Sequence, residues 1–433
     1  MSASTERKNR QTARSEGSYT KDINAQKEAA KKKKQKIRWT IVGVALVIFF
    51  GFAIYLNSGA LYRSLDALTV TNTEVTAEDT TITAGTRSFS VAECNYIYHM
   101  QYISLMNTYG DYASTILGLD TSKPLDEQEC PMNPNADADE NASYTWDDYF
   151  RDATKSQLTQ LAAYEAYAEQ HDIKLTDDDL KEIDDTIDTI ASTAKENNYG
   201  SVSKFLAANY GRGCNESVAR AIMELQALAS KVQSSITDAE TYTAAQLAEK
   251  YDSVKDSYDK FTYSYYLVAA EVEEHVHSED ESEDAHDQAS EPTDEAKAAA
   301  HATAEDILAK VNEGTSLADA AKAVVEGAEI KEQTDLTGSS VESDISEWLK
   351  SADRVAGDTT VIDGSTGSYV VVFTKRDNNQ APTEESGDQN YCDYIAENLL
   401  KQDVLSEWNE HVFSIITAAY EASFSGSARY VGI

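Results

Sequence analysis

The sequence predicts an α+β protein held by one N-terminal transmembrane helix. Beyond it come a mostly helical domain, a smaller inserted α+β domain and a returning C-terminal helix. Three observations carry this expectation. Residues 39–56 (WTIVGVALVIFFGFAIYL) hold no charge at all. No proline occurs between Pro134 and Pro292, and apolar residues there recur at three-to-four spacing, the period of amphipathic helices. At Phe261 the pattern turns aromatic and β-branched (FTYSYYLVAA), and it does so again at Ser368–Phe373 (SYVVVF), as strands require.

The apolar stretch comes first in the chain. Eighteen residues at about 1.5 Å each just cross a hydrocarbon core of ~30 Å. In lipid the backbone must satisfy its own hydrogen bonds, so a helix is expected. Residues 1–38 carry 12 Lys and Arg against 4 Asp and Glu and end in KKKKQKIR. The positive-inside rule makes them a cytoplasmic tail, residues 39–57 a single-pass anchor in the bilayer, and residues 58–433 extracytoplasmic. A cleaved signal peptide would have a shorter basic region and a shorter apolar core.

Net charge is −38 overall, and the tail contributes +8, so residues 58–433 carry −46. Such a body repels phosphates, which excludes nucleic acid as a partner and discourages close approach to anionic lipid. Cys94, Cys130, Cys214 and Cys392 are widely spaced with no CxxC. Outside the cytoplasm disulfides are permitted; three pairings are open, and Cys94 with Cys130 is the first to consider.

In chain order, two short strands are expected near residues 80–84 and 87–89. Ser90-Val91-Ala92-Glu93 reads as a capping box, opening a helix to about Gly110. Pro124, Pro131 and Pro134 mark a break. Helices then follow from Thr145, Thr176, Ser201, residue 215 and Thr243, closing a helical domain over residues 80–260. Gly211-Arg212-Gly213 is a helix break. The α+β domain spans residues 261–376: a strand from Phe261, an acidic insertion over 271–295, helices at 295–312, 315–325 and 344–352, and strands at 359–363 and 368–373. The insertion holds 12 acidic residues and no Lys or Arg, the composition of a solvated segment. A polar linker leads to a last helix over 391–424, whose apolar side should pack back on the helical domain.

These stretches resemble the SurA/PrsA family of extracytoplasmic folding factors. TITAGTRSFSVAECNYIY is similar to that family's opening strand, turn and first helix. FTYSYYLV followed by AEDILAKVNEGTSLADAAKAV, and then ISEWLKSADRVAGDTTVIDGSTGSYVVVF, resemble the two halves of a parvulin domain. The resemblance implies a SurA-N-like chaperone domain that binds unfolded, newly exported polypeptides. It also implies a peptidyl-prolyl cis–trans isomerase (rotamase) domain of FKBP-like α+β form. Tyr265 stands where parvulins carry a strand histidine, Val370 stands in place of a second histidine, and Asp344 and Trp348 replace a pocket Met and Phe. A binding-only chaperone, or a cell-surface structural or metal-buffering protein, are the alternatives.

Rotation about an X-Pro bond needs no nucleophile, metal or cofactor, and none is implied. A dry aromatic cleft can favour the twisted amide, and Tyr265, Trp348 and Tyr369 are the candidate prolyl-pocket residues. The alternative is that these three are ordinary core aromatics of a sheet and its covering helix. No catalytic residue is named. His275, His277, His286 and His301 cluster near the insertion, where weak binding of zinc is conceivable on ligand chemistry, but the spacing matches no closed metal site. P-loop, HExxH and GxSxG motifs are absent.

Overall fold

The computed structural model describes residues 58–134, 143–272 and 292–432, with residues 7, 8, 12, 36, 40, 44–51 and 55 of the N-terminal segment. Within the expected membrane span, residues 44–51 are helical and exposed, Val47 at 73 %. The rest of that span lies mostly outside the described residues. Among the described residues no helix is long and apolar enough to cross a membrane. Residues 273–291, with His275, His277 and His286, also lie outside the described residues.

The chain divides into two compact units, Met1–Ser235 with Trp408–Ile433, and Ile236–Glu407. In the first unit, helix α1 (Ala60–Ser64) leads to strands β1 (Asp66–Asn72), β2 (Val75–Ala77), β3 (Thr80–Ile82) and β4 (Gly85–Ser90). Helix α2 (Val91–Tyr109) follows directly. Its capping box is formed: the Glu93 amide donates to Ser90 Oγ at 3.2 Å, and the Ser90 amide donates to Glu93 Oε2 at 2.7 Å, which satisfies two otherwise orphaned donors. A short helix α3 (Ala113–Ile116) precedes the proline-marked break. Helix α4 (Trp146–Gln170) starts at a second capping box, Thr145 with Asp148, and α5 (Asp177–Glu196) at a third, Thr176 with Asp179. Helices α6 (Val202–Asn209) and α7 (Glu216–Asp238) complete the run.

The core of this unit is aromatic. Trp146, Tyr98, Phe89 and Phe150 are fully buried. Phe150 meets Tyr98 and Tyr102, each at 5.6 Å between ring centroids, the spacing at which tilted and edge-to-face pairs are favourable. All four cysteines are free and buried; the considered Cys94–Cys130 disulfide is not formed. The Cys94 thiol has its pKa pushed up by burial, then by Glu93, so it is an inert core group.

The second unit opens with helix α8 (Ala244–Tyr258), which begins at the Thr243–Gln246 capping box. It continues through strand β5 (Lys260–Ala269), helices α9 (Asp294–Asn312) and α10 (Leu317–Val324), strand β6 (Lys331–Thr337), helix α11 (Ser343–Lys350), strands β7 (Thr359–Asp363) and β8 (Gly367–Asp377), and helix α12 (Tyr391–Trp408). The four strands form one antiparallel sheet in the order β6-β5-β8-β7. Helices α9 and α10 cover one face, packing Ala300, Ala304, Ile307, Ala320 and Ala321 on Val268 and Val370. Ile345 and Leu349 of α11 cover the other.

The expected C-terminal helix over 391–424 is divided. Helix α12 packs Cys392, Ile395 and Ala396 against Tyr251 and Leu247 of α8, the last helix of the expected helical region, and Trp408 at its end stacks on Tyr164 of α4 with 6.3 Å between ring centroids. After it, residues Asn409–Phe413 form a π-helical turn, Ser414–Ala418 a short helix α13, and Tyr420–Phe424 a strand β9. That strand pairs antiparallel with β1, Leu68 facing Phe424, and completes a sheet in the order β4-β1-β9. The physical reason is burial: Leu68, Val70 and Phe89 need a covered sheet, and β9 supplies the missing edge.

Candidate functional site

Strand β5 places the candidate pocket. Side chains alternate across a strand, so Phe261, Tyr263 and Tyr265 face α11 while Tyr266 and Val268 face α9 and α10. Opposite β5 on β8, Leu267 pairs with Tyr369 and Tyr265 with Val371. Tyr369 therefore sits one pair along from Tyr265 on the same sheet face, and their rings lie 5.7 Å apart. Trp348 comes from α11 and packs at the edge of the same cluster, half-buried. The structure thus brings all three sequence-predicted residues into one cluster.

That cluster is buried. Tyr265 is 2 % exposed and Tyr369 7 %. The Tyr265 hydroxyl donates to Glu342 Oε1 at 2.9 Å. Burial raises its pKa first, and that bond to an anion raises it further. Tyr369 is raised by burial and then by the nearby Asp344 and Glu342 carboxylates. Both phenols are therefore neutral donors across the physiological range. Arg354 lies 4.6 Å over the Trp348 ring, a cation–π contact that covers the face of the indole.

Sequence reasoning missed Glu342, which precedes α11 and takes the Tyr265 proton donor. The signal that could have found it is weak: an acid placed just before a helix that covers an aromatic strand. Asp344 occupies the first turn of α11, and a Cβ on Gly364 would come within 2.7 Å of the Tyr369 ring. Gly364 is thus required for the turn before β8 to close over Tyr369 and Asp344.

His301 sits on α9. Its Nδ1 is 2.7 Å from Asp363 Oδ1, which also accepts from the Ser368 hydroxyl at 2.7 Å. Among the described residues no group of three or more His, Cys, Asp and Glu side chains could hold a metal. Gly211 and Gly213 have φ of 88° and 93°, which only glycine adopts without strain, and they form the loop between α6 and α7.

No protein-family model matches the sequence, and no curated protein matches it. Among solved structures, the chain is similar to a peptidylprolyl isomerase (PrsA) from Bacillus cereus at 13 % identity, over 65 % of this chain and 88 % of that one, with a TM-score of 0.31. It is similar to a foldase protein (PrsA) from Lactococcus lactis at 16 % identity, over 85 % and 100 %, with a TM-score of 0.25. It is also similar to SurA-like chaperones, PEB4 and Cj1289, from Campylobacter jejuni at 12 % identity, over 64 % and 89 %, with a TM-score of 0.25. At these values the functional reading rests on the chain's own geometry.

Proposed function

We propose that this chain is a membrane-anchored extracytoplasmic folding factor that holds unfolded exported polypeptides, and that its α+β unit binds or spaces without isomerising prolyl bonds. The observation that carries the second half is the burial of Tyr265 and Tyr369 at 2 % and 7 % exposure in one cluster. A catalyst of X-Pro rotation must surround the twisting amide with a dry, shaped cleft; here the candidate aromatic side chains spend their surface on one another and on α11. The anchoring half is supported by the charge-free residues 39–56 behind the basic tail.

The holding function draws support from apolar side chains on the first unit that no core claims. Tyr112 is 70 % exposed and Ile116 62 % exposed, both near the end of α2 and in α3. Tyrosine offers an apolar body with a polar tip, suited to varied polypeptide segments. The parvulin-like reading of residues 261–376 is supported by the strand–two-helix opening and the helix–strand–strand closing half that share one sheet.

Two assays test this. In a proline-peptide isomerisation assay, the chain should leave relaxation at its uncatalysed tens to hundreds of seconds; acceleration would overturn the non-catalytic reading. In a light-scattering assay, the chain should suppress aggregation of a denatured client. Failure to do so, with the fold intact by circular dichroism, would overturn the holding function.

A further inference from the structure

The first unit carries a basic cavity in an acidic body, placed where the chain leaves its apolar span. The cavity, of about 830 Å³, is lined by Arg63, Lys204 and Arg212 together with Tyr62, Gly59 and Gly213, and no Asp or Glu lines it. Residues 58–433 carry −46, so the clustering runs against the composition. Pairing sharpens the contrast. Among the described residues, Arg63, Lys204 and Arg212 reach no carboxylate, whereas Arg87, Lys123, Arg151, Lys155, Arg220 and Lys231 of the same unit each pair with one.

Two glycines fix this loop to the start of the exterior chain. A Cβ on Gly59 would come within 2.8 Å of Gly213 Cα, and one on Gly213 within 2.7 Å of Tyr62 Cβ. Backbone therefore meets backbone, and Arg63 Nη1 donates to the Gly213 carbonyl at 3.0 Å. On the span side, the hydroxyls of Tyr55 and Ser64 lie 3.0 Å apart, and Ser58 Oγ donates to the Tyr55 carbonyl at 2.9 Å. The basic loop is thus tied to the end of the span through α1.

We propose that this cavity docks on the phosphate groups of anionic phospholipid heads. The inference rests on the anchored reading given under Proposed function. Gly59 lies two residues past residue 57, at most ~7 Å of extended chain. The headgroup layer on each side of a bilayer is about 5–8 Å thick. Arg63, Lys204 and Arg212 therefore fall at phosphate depth, within about one Debye length of the surface at physiological salt. Tyr62, half-buried beside them, is of the aromatic type that favours the membrane–water interface. Net charge alone predicts repulsion between this body and anionic lipid; the local inversion of charge at the span's exit resolves that conflict and fixes one face of the first unit against the membrane.

The test uses the full chain in vesicles of phosphatidylglycerol and phosphatidylcholine in equal parts, compared with dodecyl maltoside micelles, which carry no phosphate. Hydrogen exchange is followed at residues 59–63 and 203–214. The expected result is exchange at least about fivefold slower in vesicles, with the difference reduced in Lys204→Gln and Arg212→Gln. Both side chains are exposed, and unchanged exchange in β4 and α2 verifies that the variants fold. Equal exchange in vesicles and micelles, with the chain floating with the vesicles, overturns the docking and leaves the anchor standing. The same protection produced by inorganic phosphate in micelles overturns the membrane as the source. A chain that does not float with the vesicles overturns anchor and docking together.

Discussion

Replacing Arg376 by methionine should remove much of the second unit's stability, because it strands a buried carboxylate. Asp259 is 1 % exposed. Arg376 Nε donates to Asp259 Oδ2 at 2.6 Å, Nη1 to the Lys350 carbonyl at 2.8 Å, and Nη2 to Asp256 Oδ1 at 2.7 Å. The Tyr251 hydroxyl supplies the other oxygen of Asp259 at 2.6 Å and is itself held by Asn379 at 2.8 Å. The bond to Asp256 contributes little, since that side chain is 57 % exposed and such pairs are worth under about 1 kcal/mol. The stacking of Arg376 over Phe261 at 5.2 Å adds about 0.5–1 kcal/mol, part of which methionine retains by packing. The dominant loss is Asp259 left buried with only Tyr251 as donor, about 3–5 kcal/mol. Native-state hydrogen exchange isolates this unit where a global melt of a two-unit chain would not. Amides of β5 and β8 should lose that much opening free energy while those of β1 and β4 keep theirs, and Asp259→Asn added to Arg376→Met should recover a part. A loss below about 1 kcal/mol in β5 and β8 would refute the reasoning, since it would mean that the carboxylate finds equivalent donors once the guanidinium is gone.

Two further outcomes are expected. Ser90→Ala should cost about 1 kcal/mol, read as faster exchange in the first turn of α2, because it removes the cap of a formed box. The His301–Asp363 pair should give a pH dependence confined to α9 and β7. The hydrogen bond to Asp363, then its charge, raises the His301 pKa, and the Ser368 hydroxyl, then His301, lowers that of Asp363. The histidine's contribution is complete below its unfolded value of about 6.5 and is lost as pH rises through its raised folded value. The aspartate's contribution is complete above about 3.9 and is lost as pH falls through its lowered folded value. Both operate together from about pH 4 to 6.5. His301 and Asp363 are 44 % and 65 % exposed, so the effect stays under about 1 kcal/mol. An NMR titration should show His301 above its ordinary pKa and returned toward it in Asp363→Asn; an ordinary value in the unsubstituted chain would contradict the pairing.

Local signals in the sequence translated well where the physics is local. The box at Ser90–Glu93 is complete in the structure, and the helices expected from Thr145 and Thr176 are capped by those residues, because a cap needs only residues three apart. Strand β7 occupies residues 359–363 as its turn-bounded pattern predicts. The losses are non-local. Strand β9 pairs with β1 across some 350 residues of chain, and nothing in Tyr420–Phe424 announces a partner that distant. Its helical approach from Tyr391 hides it, since the π-turn at Asn409–Phe413 leaves the apolar spacing almost intact. Strand β6 was missed for a different reason: KEQTDLT is an edge strand with charged outer positions, which is how edges avoid aggregation and why they read as loop. In the candidate site, the resemblance pointed to Tyr265, Trp348 and Tyr369, and the residues themselves left both a cleft and a core open. The acceptor of the Tyr265 hydroxyl is Glu342, 77 residues along the chain.

The choice between cleft and core turns on how strand β5 is used. A strand in the middle of a covered sheet has two faces and both are spent here. Phe261, Tyr263 and Tyr265 pack toward α11; Tyr266 and Val268 pack toward α9 and α10. Sheet neighbours β6 and β8 take both of its backbone edges. A peptide bound at Tyr265 would have to displace α11, exposing Ile345 and Leu349, both fully buried. Burying two such side chains is worth about 3–6 kcal/mol, comparable to the whole binding energy of a millimolar to micromolar peptide complex. Displacement would therefore consume the affinity it is meant to provide. A polypeptide bound without that cost would have to use the edges and helices of this unit, whereas Tyr112 and Ile116 of the first unit are already exposed.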